Sequence, residues 1–417
     1  MKGNILMSTV DNITSLFELE DVQITNVLSN TDENYIFIEV PRKNHICPCC
    51  GCVTNTIHDY RPQKILDVPL YEKKTYLVYK KRRYRCHECE KRFFENNSFL
   101  PRYSHTTNRL FHKIFQDLHS VVSQKHIANN YKISSMRVRR VLDSYVPSLP
   151  PLPEVIGLDE FKGNTNKTKY HCILTDLSNN TVLDILPNRT QATLRHHFKK
   201  YQYTGQLSNV KIIVIDMWSV YYQTLREIFP NATIIIDRFH FVRHAIWSLE
   251  NVRKRIQKEL PDSLRVYFKK SRFILLKRSD KLIVNESINE IRQRDRMLEF
   301  YPDLKKAYQL KEDMLWMIQK THNRLDALSE LNYWIQKAKE SNIKEFKSTI
   351  RAYQNWKAAI INSFDYPYSN GMTEGSNNKI KVIKRNAFGL RNFLRFRTRI
   401  LLAFSKTKDP AFAGSYA

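Results

Sequence analysis

Three short apolar runs separated by polar turns open the middle of the chain, and long charged segments of helical period follow them. Val155-Ile156-Gly157-Leu158-Asp159, Tyr170 to Asp176 and Thr181 to Leu186 are β-prone, with Ser178-Asn179-Asn180 as a polar turn, and this pattern predicts a three-stranded meander. A helical stretch from Gln191 to Tyr201 leads into Val210-Lys211-Ile212-Ile213-Val214-Ile215-Asp216, an almost continuous apolar run of the kind buried on both faces of a sheet. A helix near Ser219 to Ile228 and another run, Ala232 to Ile236, complete the order strand, strand, strand, helix, strand, helix, strand. That is the order of a ribonuclease-H-like core. From Phe241 to about Phe364, segments such as Leu304 to Ile318 and Leu325 to Ala338 repeat with a helical period and few turn signals, which predicts a helical insertion.

Upstream, Pro147-Ser148-Leu149-Pro150-Pro151-Leu152-Pro153 stops any helix and favours an extended linker. Before it, Ser123 to Asn130 and Ser134 to Tyr145 read as two short helices flanking Tyr131-Lys132-Ile133, with Ala128 small enough for close contact and Ser134 as N-cap. The spacing is that of a helix-turn-helix, although ordinary bundles also contain it. Arg137, Arg139 and Arg140 fall on the second helix, where a recognition element meets DNA.

Charge sharpens this picture. The 417 residues carry 68 Lys+Arg against 41 Asp+Glu, a formal charge of +27, far beyond what solubility needs and suited to a polyanion. A membrane surface is the competing polyanion, but there is no run of 18 apolar residues, and Met1 to Glu20 includes Asp11, Glu18 and Glu20; the pattern predicts a cytoplasmic, nucleoid-associated protein without export signal or membrane span. Lys73 to Arg92 holds nine Lys/Arg, among them Lys80, Lys81, Arg82, Arg83 and Arg85, interleaved with Tyr76, Tyr79 and Tyr84, a strip able to neutralise phosphates or simply a solvated hairpin face. Gly375 to Lys408 carries ten Lys/Arg, including Lys379, Lys381, Lys384 and Arg385, and no acid.

Six of the seven cysteines crowd into Cys47, Cys49, Cys50, Cys52, Cys86 and Cys89, which indicates metal in a reducing compartment rather than disulfides. Cys47-Pro48-Cys49-Cys50-Gly51 and Cys86-His87-Glu88-Cys89 form two CxxC knuckles 35 residues apart, the spacing of a closed tetrahedral zinc site. The favoured ligands are Cys47, Cys50, Cys86 and Cys89, because Gly51 supplies the flexible residue a knuckle turn prefers; a register using Cys49 and Cys52 stays open. Cys172 belongs to the core.

The catalytic candidates are Asp159, Asp216 and Glu374. Carboxylates on the first and fourth strands of a ribonuclease-H-like sheet converge at its centre, and with a third from a later helix they can hold divalent ions for an in-line displacement. Oxygen ligands favour magnesium or manganese. Glu374 is the only acid between Tyr366 and Lys408. Each has a duller reading: Asp159 as the end of an edge strand, Asp216 as a helix N-cap, Glu374 as a first-turn acid complementing the helix dipole. Asp237 competes with Asp216, since Ile234-Ile235-Ile236-Asp237 also ends a strand and His240 follows.

These residues resemble the transposases of the ISL-three group of bacterial insertion sequences over nearly the whole chain. The CxxC pair with its basic hairpin is similar to that family's N-terminal zinc ribbon. Gly157-Leu158-Asp159-Glu160-Phe161, Val214-Ile215-Asp216-Met217-Trp218 and Thr373-Glu374-Gly375-Ser376-Asn377-Asn378-Lys379-Ile380-Lys381 look like its three catalytic blocks. The resemblance implies a DDE transposase with a helical insertion before the last Glu. Asp237 to His240 is similar to the Asp/Cys-x-x-His motif of related transposases, which implies an auxiliary role for Asp237 and His240.

The expected fold is therefore multidomain α/β: 1–100 with the zinc ribbon, 104–146 as a helix-turn-helix, 147–153 as linker, 154–240 as the first part of a ribonuclease-H-like core, 241–364 as an insertion folding as its own unit, and 365–408 as the final core helices. Lys254, Arg255, Lys269, Lys270 and Arg272 make the insertion a candidate DNA or subunit contact. The expected partners are double-stranded DNA, as terminal inverted repeats and target, and a second copy of the chain in a homodimer or higher oligomer. A metal-dependent nuclease or junction resolvase on the same core, or a DNA-binding regulator with an idle core, are the alternatives.

Overall fold

The computed structural model describes residues 22–405 except 164, 286, 287 and 388. The acidic residues before position 21 and the last basic residues, 406–408, lie outside the described residues. The chain forms two compact units, 1–148 with 380–417 and 149–379.

The first unit holds a five-stranded mixed sheet. β1 (Gln23–Ser29), β2 (Glu33–Glu39), β5 (Ile57–Leu70) and β6 (Lys73–Arg85) run in the order β1-β2-β6-β5, and a short strand, β7 (Arg92–Phe94), pairs β6. A two-stranded hairpin of β3 (His45–Ile46) and β4 (Val53–Thr54) stands apart from it. Alternation along β2 and β6 buries Ile36, Ile38, Leu77 and Tyr79 with Ile65, Phe99 and Leu100, as a strand with one covered face should. The other face carries Tyr35 stacked on Tyr76, with Lys64 Nζ 3.6 Å from the Tyr76 ring centre. The basic strip is thus the central strand of a sheet, and that corrects one expected DNA contact. Arg82 is only 7% exposed: the buried positions of β6 change parity between Tyr79 and Arg82, and Arg82 pairs with Glu39 at 2.9 Å and Glu95 at 3.3 Å. Arg83 and Arg85 also have carboxylate partners, Asp59 and Glu90.

Three short helices follow, α1 (Asn108–Asp117), α2 (Gln124–Asn130) and α3 (Ser135–Ser144), capped by Thr107, Ser123 and Ser134 through hydroxyls that accept backbone N–H bonds. The two helices around Tyr131 to Ile133 form where the pattern predicts them. Their shared core includes Leu110, Ile114, Ile127, Ala128, Val138 and Leu142, and also Leu402 from near the other end of the sequence. That last contact comes from α15 (Phe393–Phe404). Its Arg399 guanidinium donates to the carbonyls of Leu118, Ser120 and Val122, and Arg395 pairs both nitrogens with Asp143 at 2.7 Å. Residues expected among the final core helices therefore group, from 380 onward, with the first unit. Apolar periodicity shows that a helix buries one face, but not against which partner.

The second unit is built on a mixed five-stranded sheet, β8 (Val155–Lys162), β9 (Tyr170–Asp176), β10 (Thr181–Leu186), β11 (Ile212–Ile215) and β12 (Thr233–Ile236), in the order β10-β9-β8-β11-β12. β8, β9 and β10 are antiparallel neighbours, whereas β8, β11 and β12 are parallel. Parallel strands need crossover connections, usually helices, and α4 (Gln191–Lys199) and α5 (Ser219–Ile228) supply them. Helices from α6 (Arg238–Glu259) through α13 (Lys357–Asn362) make up the expected insertion. It does not stand apart: one core runs from sheet residues such as Ile213 and Ile236 into Phe241, Leu249, Trp334 and Tyr353. The cause is that α6 starts directly after β12, so Phe241 on its second turn packs on Tyr353 and Phe364, with ring centres 6.4 and 6.3 Å away. Within the insertion Arg255 is committed to Glu345 and Asp303, and Arg272 to Glu250. On a second, smaller apolar cluster, Tyr366, Tyr368 and Met372 pack against Val155, Leu177, Val214 and Ile235, and α14 (Gly371–Asn386) begins there.

Candidate active site

The parallel register builds the site. Val214 is paired with Gly157 and Ile215 with Ile236, so Asp159, Asp216 and Asp237 follow at the same end of three adjacent strands. Ligand sites in open α/β sheets gather at the carboxyl ends of parallel strands. α6 starts immediately after Asp237 and brings His240 back on its first turn, with Nε2 3.0 Å from Asp216 Oδ1. That contact lacks hydrogen-bond alignment, Asp216 Oδ1 being buried with no hydrogen-bond partner, and becomes an ion pair when His240 is protonated.

Asp159 accepts the Glu160 N–H at 2.6 Å on one oxygen and the Asn377 side-chain amide at 2.7 Å on the other. Burial, together with the neighbouring Asp216 charge, pushes the Asp159 carboxyl up to about 7. Burial also raises Asp237, against the N–H that Asn370 donates to it at 3.1 Å. For His240, burial opposes the imidazolium, but Asp216, Asp237 and Asp159 outweigh it and hold its pKa above the ordinary value. Carboxylates crowded this closely in a desolvated pocket repel one another, and a cation relieves that repulsion.

Glu374 reaches the same region on the first turn of α14, and its charge acts on Asp237. Its side chain remains exposed at the rim. The seat of that helix is a close approach: a Cβ on Gly157 would stand 2.7 Å from Thr175 Oγ1 and 2.9 Å from Asn370 Oδ1. Thr175 and Thr373 hydroxyls meet at 3.0 Å, and Asn370 Nδ2 donates to Leu158 O at 3.3 Å. Beside the carboxylates Arg189 pairs with Glu160, and its guanidinium lies 4.6 Å from the Trp218 ring centre and 5.0 Å from that of Tyr170.

The residues fit a divalent cation. All the donors are oxygens, Asp216 Oδ1 and Asn377 Oδ1 are buried acceptors without hydrogen-bond partners, and hard oxygen sets suit magnesium or manganese. The carboxylates are not a closed set: among the described residues, the only group of three or more possible ligands whose donor atoms all lie within 4.8 Å of one another is Cys47, Cys50, Cys86 and Cys89. Gly157, Asn370, Asn377 and Arg189 were given no role from sequence. The signal for Asn377 was its place one turn after Glu374.

The cysteine quartet sits in the first unit on two hairpin turns, one between β3 and β4 and one between β6 and β7. Cys47 Sγ lies 3.5 Å from Cys89 Sγ, and Cys50 Sγ 3.5 Å from Cys86 Sγ. Gly51 takes the positive φ of +77° that closes the first knuckle. A backbone N–H from Cys52 lowers the Cys50 thiol to about 6, which favours the thiolate a metal needs. Cys49 and Cys52 stay outside the quartet. Closed four-sulfur sets are structural zinc sites.

Two family models match the chain. A transposase family, ISL3, matches residues 156–400, and the zinc-finger of transposase IS204/IS1001/IS1096/IS1165 matches residues 43–89. The chain is 26% identical over 384 residues to the transposase for insertion sequence element IS1001 of Bordetella parapertussis, covering 88% of this chain and 91% of that one. A shorter likeness, 33% identical over 109 residues, links it to a Lactococcus lactis subsp. lactis protein named as an ATP-dependent protease, over 26% of this chain and 33% of that one.

Proposed function

Since this chain belongs to the ISL3 transposase family, we propose that it is a DDE transposase that binds the terminal inverted repeats of its insertion sequence, cleaves their ends and joins them to target DNA. The observation that carries this reading is the meeting of Asp159 and Asp216 on adjacent parallel strands, with α14 bringing Glu374 to the same end of the sheet. The strand order supports reading the second unit as a ribonuclease-H-like core.

Asp159, Asp216 and Glu374 supply the oxygen donors. Asp237 anchors the entry to α14 through Asn370, and His240 partly balances the charge of Asp216; both act as auxiliary groups. Magnesium or manganese held there would activate the attacking oxygen and stabilise the leaving one. The first unit provides recognition, with the zinc knuckles as structural support and α2–α3 as a helix-turn-helix. Lys80, Lys81, Arg137, Arg139 and Arg140, with Lys381, Lys384 and Arg385, are its DNA-contacting cations, Lys379 at the end of the second unit is a further one, and two or more copies pair the element's ends.

The test is incubation of purified protein with the DNA flanking its gene. Cleavage at the repeat boundary and strand transfer, both dependent on magnesium or manganese, are expected. Binding without cleavage would instead fit a DNA-binding regulator, and cleavage without joining a nuclease or resolvase.

A further inference from the structure

Asn377 is 6% exposed, although it lies on a polar stretch of α14. It is one turn beyond Glu374, so both project from one side of the helix. Its Nδ2 donates to Asp159 Oδ2 at 2.7 Å across 218 positions of sequence, and its Oδ1 is buried with no hydrogen-bond partner. A buried amide half satisfied in this way costs free energy and calls for a reason. Amide geometry places the orphaned oxygen within about 5 Å of the same Asp159 carboxylate, among the oxygens of the candidate cation site.

We propose that Asn377 positions Asp159 for divalent cation binding and lends its own side-chain carbonyl oxygen to the same cation. The inference rests on the carboxylate cluster being a cation site. The terminal torsion of an aspartate is broad; the Glu160 N–H and the Asn377 amide, one on each oxygen, fix the plane of the Asp159 carboxylate. Because the second donor belongs to α14, Asp159 is set only when the helix carrying Glu374 is seated, and the close approach at Gly157 fixes that seating. Asn377 thereby links delivery of the third carboxylate to readiness of the first. A neutral amide oxygen is a good ligand for a hard cation and adds no further negative charge to a crowded site.

The experiment is a manganese titration of the DNA-free full-length protein, followed by electron paramagnetic resonance and by thermal shift, on wild type, Asn377→Ala, Asn377→Ser and Asp216→Asn. Asn377→Ala should bind manganese about tenfold or more weakly, the scale seen for groups that orient metal ligands. Its DNA affinity and circular dichroism should stay unchanged, and excess manganese should restore cleavage. Asn377→Ser, which keeps a small donor, should fall between the two, and serves if the alanine variant folds poorly. Wild-type manganese affinity in both Asn377 variants, with Asp216→Asn weakened, overturns the role of Asn377 alone. Unchanged affinity in Asp216→Asn as well overturns the cation site itself.

Discussion

Gly157 and Asn370 approach so closely that a single methyl group on the glycine would stand 2.9 Å from the asparagine oxygen. This contact seats the start of α14 against β8, two residues before Asp159. Gly157→Ala forces Thr175 or Asn370 to move, at about 1–3 kcal/mol for overpacking a filled site. It should lower the melting temperature and reduce cleavage together. Gly375→Ala meets nothing within 4 Å and should instead stabilise α14, by up to about 1 kcal/mol. Equal melting temperatures for the two variants would remove the seating role of Gly157.

Asp159→Asn, Asp216→Asn and Glu374→Gln should each abolish cleavage while leaving DNA binding intact, because the proposed function rests binding on the basic first unit and chemistry on the carboxylates. Asp237→Asn and His240→Ala should reduce cleavage without abolishing it. A dead Asp237→Asn beside an active Asp216→Asn would exchange their roles.

Cation binding should depend on pH through Asp159. Its carboxyl is raised from 3.8 to about 7 by burial and by Asp216, so below pH 7 a cation must displace a proton, at about tenfold in apparent affinity per pH unit. The folded cation-free protein holds that proton more tightly than the unfolded chain. Its contribution to stability is therefore complete below about pH 4 and is lost as pH rises through about 7. Manganese should accordingly raise the melting temperature more at pH 8 than at pH 6; equal shifts would separate the cation from Asp159.

Most of the second unit was legible from sequence because its strands are short, apolar and bounded by turns, so that Asp216 and Asp237 follow the ends of two of them; Asp159 instead lies within β8, which runs on to Lys162. The zinc register was legible from Gly51. What escaped was the work of side chains between distant elements. Arg82 looks like its neighbours in a basic run, and only the pairing of β6 with β2, together with β7, shows that it faces Glu39 and Glu95. Arg399, likewise one cation in a basic tail, spends its donors on carbonyls between α1 and α2. Hydrophobic period locates a buried face; it does not name the partner.

Arg82→Ala should behave as a folding defect, losing about 3 kcal/mol because Glu95 is left buried without its cation, with only the Tyr79 hydroxyl and the residue 82 N–H still donating to it, and the salt dependence of DNA binding should be unchanged. Arg140→Ala, on the exposed side of α3, should leave stability alone and reduce the salt slope by about one. Chemical denaturation and binding at several salt concentrations distinguish the two, and a reversed pattern would return Arg82 to the DNA-binding surface.

Zinc analysis should find one ion per chain. Cys47→Ser and Cys86→Ser should lose it, with weaker specific DNA binding, whereas Cys49→Ser and Cys52→Ser should retain it. Loss in the latter pair would move the first knuckle to the other register.

The contribution of α15 to the core of α1–α3 also fixes an order of events during synthesis. Leu402, Arg395 and Arg399 leave the ribosome after every other described element, so the three helices wait, with part of their apolar surface bare, until residues 393–404 have been made. A product cut short before Phe393 would carry the carboxylates and the zinc knuckles yet lack the piece that closes the core of α1–α3. Closure of the three-helix core is thereby reserved for chains translated through Phe404.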